Sequence, residues 1–246
     1  MDKLLVERGV ATSRERAQAL ILAGKVLVNE QKVEKAGAAV EREAAIRLLG
    51  EELRYVSRGG LKLERAIENW NIHVAGRSCV DVGASTGGFT DCLLQHGAAR
   101  VLAIDTGYGQ IAARLRADAR VTLLERTNAR YLKAGDMPFA ADFAAVDVSF
   151  ISATLVLPAV VGAVSKQQSA ISRIEMVVLV KPQFEVGREL VGKGGIVRDA
   201  AAQQQAVEKV RKAVQDLGGR EIDVIESPIL GAEGNKEFLL HAFVSS

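Results

Sequence analysis

The fold is decided by the stretch Ser78-Cys79-Val80-Asp81-Val82-Gly83-Ala84-Ser85-Thr86-Gly87-Gly88-Phe89-Thr90-Asp91. Its first part, residues 79–82, has the apolar character of a buried strand. Three glycines then predict a tight turn, and residues 89–95 predict a helix. Because glycine has no side chain, a ligand can lie directly against the backbone of such a turn. The stretch therefore predicts a strand, a turn and a helix, with a ligand site at the turn.

The spacing of the glycines distinguishes between ligand classes. A dinucleotide-binding turn has the form G-x-G-x-x-G, but the second position after Gly83 is Ser85, so that pattern fails. The D-x-G-x-x-x-G-G form of residues 81–88 instead resembles the S-adenosylmethionine loop of Rossmann-like methyltransferases. An ordinary strand-to-helix turn stays an alternative, because isolated glycine-rich turns are weak signals. The resemblance implies cofactor contacts from Asp81, Gly83, Ser85, Thr86, Gly87, Gly88 and Phe89.

Strands and helices alternate through the rest of the chain after Leu61. A helix is predicted from Leu61, and such alternation implies a mainly parallel sheet with helices on both faces. The last two predicted strands are joined by a short glycine-rich link, so we expect an antiparallel hairpin at the sheet edge. The sequence thus predicts an α/β fold with a seven-stranded sheet. Its strands are expected at 79–82, 101–104, 120–124, 141–148, 175–180, 221–225 and 237–244, and its later helices at 111–115, 155–164 and 198–217.

The first fifty residues have a different organisation. We expect an amphipathic helix over 2–8 and a second helix to Ala23, whose capping box runs from Thr12 to Glu15. A short hairpin follows, with strands at 26–28 and 32–33. Residues 42–54 lose clear periodicity, and 55–60 are predicted to be a connector. The predicted domains are therefore 1–54 and 61–246.

The segments Leu4–Gly9, Ser13–Ala17 and Gly24–Asn29 closely resemble the S4-like RNA-binding domain, a small α+β fold. The resemblance implies RNA contacts from four basic side chains. Residues 1–40 contain seven Lys or Arg against five Asp or Glu, so a solvated face of mixed charge stays an alternative. The four side chains are Arg14, Arg16, Lys25 and Lys32.

Polar side chains follow the predicted parallel strands. In a doubly wound sheet, ligands lie beyond the carboxyl ends of the strands. Asp105 can accept hydrogen bonds from the ribose hydroxyls of a nucleoside, while Asn128 is either a turn residue or an adenine contact. Asp147 ends a very apolar strand and needs a partner. Lys181 follows another apolar strand, where a lysine can act as a general base.

Five further segments complete a resemblance that spans nearly the whole chain: 57–63, 147–152, 180–185, 191–199 and 234–238. With the opening stretch they look like the hemolysin A-like ribosomal RNA methyltransferases, which join an S4-like domain to an FtsJ-like 2'-O-ribose methyltransferase domain. The resemblance implies an enzyme that uses S-adenosylmethionine to methylate a ribose 2'-oxygen, of cytidine, in ribosomal RNA, with ribosomal particles as substrate. It implies a catalytic tetrad of Lys62, Asp147, Lys181 and Glu237. Asp147 also contacts the cofactor, while Arg58 and Lys193 contact RNA.

Composition limits the other classes of function. The chain has 48% hydrophobic and 25% charged residues and a net charge of only +2, so any basic surface must be local. Cys79 and Cys92 form no C-x-x-C pair, so no metal site is predicted. The charged start and the lack of a long apolar run favour a soluble cytoplasmic protein. Two alternatives stay open: a pore-forming or lytic protein, as the family name suggests, and an RNA-binding protein without activity.

Overall fold

The computed structural model describes residues 1–29, 31–49, 54–166, 173–231 and 234–245. The chain forms two compact units, Met1–Leu53 and Arg54–Ser246. The predicted domain end at residue 54 is one position away, and residues 50–53 of that predicted domain lie outside the described residues.

The first unit packs two helices against a small sheet. Leu5, Ile21 and Val26 are fully buried at the centre of its core. Strand β1 lies between β2 and β3 and is antiparallel to both. The elements are α1 Asp2–Glu7, α2 Arg14–Leu22, β1 Val26–Val28, β2 Gln31–Lys32 and β3 Ile46–Leu48.

Two details of this unit differ from the sequence prediction. The helix α2 is capped by Ser13, whose side chain accepts a hydrogen bond from the backbone N–H of Arg16 at 3.2 Å, and not by Thr12. Strand β3 was not predicted. It has only three residues, and it is a strand because it pairs with β1, with Val26 opposite Leu48. This is a long-range contact that leaves no periodicity in the sequence.

The second unit is built on a seven-stranded sheet of order β6-β5-β4-β7-β8-β10-β9. Strands β4 to β8 are parallel, and β10 is antiparallel to both β8 and β9. This confirms the predicted α/β class with its antiparallel edge hairpin. Its elements are α3 Gly59–Asn69, β4 Ser78–Val82, α4 Gly88–Gln95, β5 Arg100–Ile104, α5 Ala113–Arg116, β6 Val121–Leu124, β7 Phe143–Val146, α6 Leu157–Lys166, β8 Arg173–Val180, α7 Pro182–Glu185, α8 Ala200–Asp216, β9 Gly219–Glu226 and β10 Phe238–Ser245.

Apolar side chains cover both faces of this sheet. One core contains Val80 and Val146, and the other contains Cys79 and Ala145, so alternate residues of one strand enter opposite cores. A central strand buried on both faces has a continuous apolar sequence. That is why the buried central strands were predicted to within two residues of their observed bounds.

The predicted connector 55–60 is instead part of the second unit. Tyr55 is only 2% exposed, and its hydroxyl donates a hydrogen bond to Glu64 at 2.9 Å. The backbone N–H of Val56 donates to Asp91 at 2.8 Å, and α3 begins already at Gly59. Serine and two glycines suggested a connector, but Gly60 is a glycine because the backbone there packs closely against Tyr55.

Substitution of Gly60 tests this correction. A Cβ atom at Gly60 would overlap the Tyr55 ring, so we expect Gly60→Ala to lower the free energy of unfolding by about 1–3 kcal/mol. Gly162, inside α6, has open space where a Cβ would lie, and Gly162→Ala should stabilise the protein by about 0.5–1 kcal/mol. Urea unfolding of the two variants measures both changes. An unchanged or raised free energy of unfolding in Gly60→Ala would support the predicted connector at 55–60.

Candidate active site

The carboxyl ends of four parallel strands meet at one edge of the large sheet. The backbone N–H of Asp147, after β7, donates to the carbonyl of Val82 at 2.8 Å. The N–H of Gly83, after β4, donates to the carbonyl of Ile104 at 2.8 Å. These bonds fix the residues that follow each strand relative to one another. The edge is therefore a rigid frame for the predicted polar side chains.

The glycine turn passes very close to Asp147. Gly83 has a φ of +88°, and a Cβ atom there would overlap the carbonyl oxygen of Asp147. Ser85 also has a positive φ, +49°, and its backbone N–H donates to Asp105 Oδ2 at 2.8 Å. Asp105 Oδ1 accepts from the N–H of Gly107 at 2.6 Å. Asp105 thus holds the turn in place as well as facing a cavity.

Asp147 and Lys181 form the first of two ion pairs at this edge. Their side chains are 20% and 11% exposed, and Lys181 Nζ lies 2.6 Å from Asp147 Oδ1. The ammonium also donates to Ser149 Oγ at 2.7 Å. Pairing and hydrogen bonding offset the cost of removing these charges from water.

Lys62 and Glu237 form the second ion pair, which is more deeply buried. Lys62 comes from α3, and Glu237 lies just before β10. The register of β10 on β8 places Phe238 opposite Val180, which brings Glu237 beside the end of the strand that precedes Lys181. A Cβ atom at residue 231 would overlap the Glu237 carboxylate, so Gly231 makes room for it. All four members of the predicted tetrad therefore lie at this edge, as two pairs.

Two cavities open at the edge and share a wall. The larger, of about 340 Å³, is lined by Ile104, Asp105, Asn128 and Val148 together with Asp147 and Lys181. The smaller, of about 230 Å³, is lined by Lys62, Phe89 and several small residues of the glycine turn. Gly83, Ser85 and Asp147 line both. Asp147, a member of the first ion pair, thus lies where the two cavities meet.

Not every predicted cofactor residue lines a cavity. Thr86 and Gly88 do, but Gly87 does not, and its φ of +96° together with the Leu115 side chain behind it explains the glycine. Asp81 is fully buried in β4, and its Oδ2 accepts from Thr90 Oγ1 at 2.6 Å. Gly87 and Asp81 therefore support the turn from the side away from the two cavities.

The predicted RNA-binding side chains of the first unit differ in their surroundings. Arg14 is bound to Asp2 at 2.9 Å, so part of its charge is already neutralised. Lys32 is exposed on β2, whereas Arg16 and Lys25 are half-buried. Arg14 and Lys32 are therefore the two of the four that are exposed, and Arg14 is paired with Asp2.

The two remaining predicted RNA contacts belong to the second unit. Arg58 is exposed and lines the smaller cavity. Lys193 is exposed in a small hairpin closed by a bridge between Gly192 and Ile196. The buried side chain of Asn235 accepts from the N–H of Val197 at 2.9 Å and donates to the Gly195 carbonyl at 2.8 Å. Asn235 thus holds this hairpin at its base, two residues from Glu237.

Sequence reasoning assigned no role to Ser149 or Phe150. The Phe150 side chain is 93% exposed, lines the larger cavity and contacts Phe184 with ring centroids 5.4 Å apart. Its φ of +64° is unusual for a bulky residue. The available signal was the sequence Asp-Val-Ser-Phe after an apolar strand, since polar and aromatic residues at such a strand end are candidates for ligand contact.

Residues 55–243 match the FtsJ-like methyltransferase family, and residues 1–46 match the S4 domain. The first match covers most of the chain, so the chain belongs to the FtsJ-like methyltransferase family and is an enzyme of that class. This confirms the resemblance stated from the sequence. The fold is that of S-adenosylmethionine-dependent methyltransferases, as predicted.

Named relatives agree with this assignment. The 16S/23S rRNA (cytidine-2'-O)-methyltransferase TlyA of Mycobacterium tuberculosis is 46% identical, over 98% of this chain and 88% of that protein. A solved structure of a hemolysin-named protein from Streptococcus thermophilus is 41% identical with a TM-score of 0.76, covering 100% of this chain and 88% of that one. An S-adenosylmethionine dependent methyltransferase from Mesorhizobium loti, 17% identical, shares the fold with a TM-score of 0.51 over 73% and 95% of the two chains.

No helix in the described ranges is both long and apolar enough to cross a membrane.

The residues present fit S-adenosylmethionine. The larger cavity combines apolar walls from Ile104 and Val148 with the Asp105 carboxylate, which suits a nucleoside whose ribose hydroxyls donate hydrogen bonds. The smaller cavity offers bare backbone at the glycine turn. Asp147, which lines both, supplies negative charge where a sulfonium would connect the two ends of the cofactor.

The buried Asp81 leads to a pH prediction. Burial raises the pKa of Asp81 from its ordinary 3.8 to about 7, with the charge of Asp147 adding to the rise against the Thr90 hydrogen bond. Asp81 therefore ionises near pH 4 in the unfolded chain and only near pH 7 in the folded protein. Between these values the contribution of Asp81 to the free energy of unfolding falls with rising pH, by roughly 1.4 kcal/mol per pH unit at most.

Asp81→Asn should remove this dependence on pH, because an amide does not ionise. The amide oxygen can still accept the hydrogen bond from Thr90, so the local structure is kept. Its free energy of unfolding relative to the native protein should rise from pH 4 to pH 7 and then stay constant. Urea unfolding at several pH values measures this difference. A difference that does not change with pH would show that Asp81 is ionised in the folded protein throughout.

Proposed function

We propose that this enzyme transfers a methyl group from S-adenosylmethionine to the ribose 2'-oxygen of a cytidine in ribosomal RNA, with ribosomal particles as substrate. The observation that carries the proposal is the position of two lysine–carboxylate pairs around a shared wall of two cavities. The 46% identity to a ribosomal RNA (cytidine-2'-O)-methyltransferase supports the choice of RNA, nucleoside and oxygen. Ribosomes are cytoplasmic in bacteria, which supports a cytoplasmic location.

The cofactor contacts follow from the lining of the cavities. We assign Asp105 and Asn128 to the nucleoside end and Ser85, Thr86 and Gly88 to the amino-acid end. S-adenosylmethionine supplies an electrophilic methyl group on a positively charged sulfur, which keeps the bonding electron pair when the methyl leaves. Phe89, buried beneath the turn, keeps the smaller cavity closed on its inner side.

The nucleophile is a hydroxyl that must lose its proton. Lys181, at the mouth of β8, is the proposed base: in its neutral form Nζ takes the proton from the 2'-oxygen. Asp147 Oδ1 lies 2.6 Å from the same nitrogen, and its negative charge stabilises the ammonium that forms. Lys62, held by Glu237, lies on the other side of Asp147 and orients the ribose by donating hydrogen bonds.

The S4 domain at the N-terminus supports docking on folded RNA. Such docking uses shape, phosphates and 2'-hydroxyls, so it needs only a local basic surface. We propose that Lys32, Lys25 and Arg16 contribute to that surface and that Arg14, bound to Asp2, contributes less. Arg58 and Lys193 would contact the RNA close to the target nucleotide.

The two alternatives have less support. An inactive RNA-binding protein would have no need for four charged side chains arranged as buried or half-buried pairs. A lytic activity is suggested by the names of relatives and by no feature of the site described above. Both alternatives are decided by the experiment that follows.

We expect the protein, incubated with radiolabelled S-adenosylmethionine and separated small and large ribosomal subunits, to add a 2'-O-methyl group that can be mapped to a cytidine. Lys181→Ala should lower kcat by about 100-fold or more, because the proton has no acceptor. The Kd for S-adenosylmethionine, measured by calorimetry, should stay nearly unchanged.

Lys212→Ala, an exposed lysine of α8, is the matched control and should retain native turnover. Native turnover in Lys181→Ala would rule out its role as base. Cofactor binding by the native protein without methylation of any RNA would support the inactive alternative. Release of vesicle contents by the pure protein would support the lytic one.

The exposed ring of Phe150 leads to a separate prediction about RNA binding. An aromatic ring on a cavity rim can stack on an unpaired base, a contact worth about 1–3 kcal/mol. We expect Phe150→Ala to raise the KM for RNA by about 5- to 100-fold, and Phe150→Trp to retain native KM. Because the ring is 93% exposed, thermal stability should not change. An unchanged KM for RNA would exclude stacking.

A further inference from the structure

Ser149 accepts a hydrogen bond from the Lys181 side chain, and the mechanism proposed above does not use this contact. Lys181 Nζ lies 2.7 Å from Ser149 Oγ and 2.6 Å from Asp147 Oδ1. Ser149 follows Asp147 by two residues, and all three side chains line the larger cavity. Lys181 is only 11% exposed at its side chain, so these two oxygens account for much of its polar surroundings.

The backbone places Ser149 in this position at a cost. The next residue, Phe150, has a φ of +64°, a conformation that costs a bulky residue about 1–3 kcal/mol. Strain of this kind persists only where surrounding contacts enforce it. The loop 147–153 therefore needs an anchor beyond the strand that precedes it.

Glu185 is that anchor. Its buried carboxylate accepts from the backbone N–H of Ala153 at 2.7 Å and also bonds the Ser152 hydroxyl. Lys209 Nζ lies 3.3 Å from the same carboxylate. Glu185 follows Lys181 by four residues, so the segment 181–185 is fastened to the loop 147–153 at both ends. Ser149 is consequently held against Lys181 by the fold.

We propose that Ser149 is a positioning residue that aims the lone pair of Lys181 at the ribose 2'-hydroxyl. A neutral lysine amine has two N–H bonds and one lone pair. Ser149 accepts one N–H, and the negative charge of Asp147, whose Oδ1 lies 2.6 Å from Nζ, attracts the other, which leaves the lone pair pointing in the remaining direction, into the cavity. When the O–H bond of the 2'-hydroxyl breaks, its proton joins that lone pair and its electron pair stays on oxygen for the methyl carbon. The resulting ammonium then has three N–H bonds, which face Asp147, Ser149 and the methylated oxygen.

Without the serine hydroxyl, the amine can rotate and donate an N–H to the substrate oxygen, and the lone pair then points away. Ser149→Ala should therefore lower kcat by about tenfold to a hundredfold, the usual cost of misplacing a reacting group. The KM for RNA and the Kd for S-adenosylmethionine should not change, because the cavity lining loses only one oxygen. Ser149→Thr keeps the hydroxyl and should restore most of kcat.

The test compares kcat, KM for RNA, the Kd for S-adenosylmethionine by calorimetry and the melting temperature of both variants with those of the native protein. The matched control is Ser78→Ala at the opposite end of β4, which removes the hydrogen bond from Arg100 Nε to Ser78 Oγ at 2.8 Å. That variant should have native kcat. A role of Ser149 in folding alone would lower the melting temperature and leave kcat per folded molecule unchanged.

A native kcat in Ser149→Ala, a change confined to KM, or a failure of Ser149→Thr to restore kcat at native melting temperature would each overturn the inference. The inference rests on the proposed function, but the two fail differently. If the native protein methylates no RNA, the proposed function fails. If the native protein is active and Ser149→Ala is equally active, only the role of Ser149 fails.

Discussion

The close approach of Gly83 to the backbone of Asp147 is the constraint on which the site depends. The two chain segments run so near each other that no Cβ atom fits at residue 83. The contact brings the glycine turn, where the cofactor is proposed to bind, next to the carboxylate proposed to act in catalysis. Asp105 also holds the glycine turn in place, because its carboxylate accepts hydrogen bonds from the backbone N–H groups of Ser85 and Gly107. One rigid sheet edge thus joins the proposed site of methyl-donor binding to the proposed site of proton transfer.

Paired charges make that edge chemically active and keep it stable. An isolated lysine or carboxylate at this depth would cost several kcal/mol, whereas a pair with good geometry recovers most of the loss. Lys62 and Glu237 come from the start and the end of the second unit, and Asp147 and Lys181 from its middle. Glu185 and Asn235 then fasten the loops that carry these residues. The charges are thereby held in place before any substrate arrives.

Much of the second unit could be predicted because its central strands are buried on both faces. Apolar runs such as 79–82 and 175–180 are visible in a single sequence, and glycine marks the turn between β4 and α4. The first unit was harder to predict, since β3 owes its existence to pairing with β1 and has only three residues. Residues 55–60 were wrongly predicted to be a connector for a related reason. A glycine that packs against a buried Tyr55 and a glycine in a connector give the same local composition.

The sequence by itself determined the fold class and the glycine turn, because the period of burial and the chemistry of strand ends are local properties, whereas Lys62, Asp147, Lys181 and Glu237 were assigned together by resemblance to a family. Only the tertiary structure decided that the four form two separate pairs with Asp147 between two cavities, that Asp81 lies behind the turn, and that Ser149 shares Lys181 with Asp147. Those features depend on strand order and register, which bring together residues 30 to 175 positions apart in the chain. Distances across a sheet are set by packing and leave no pattern along one strand.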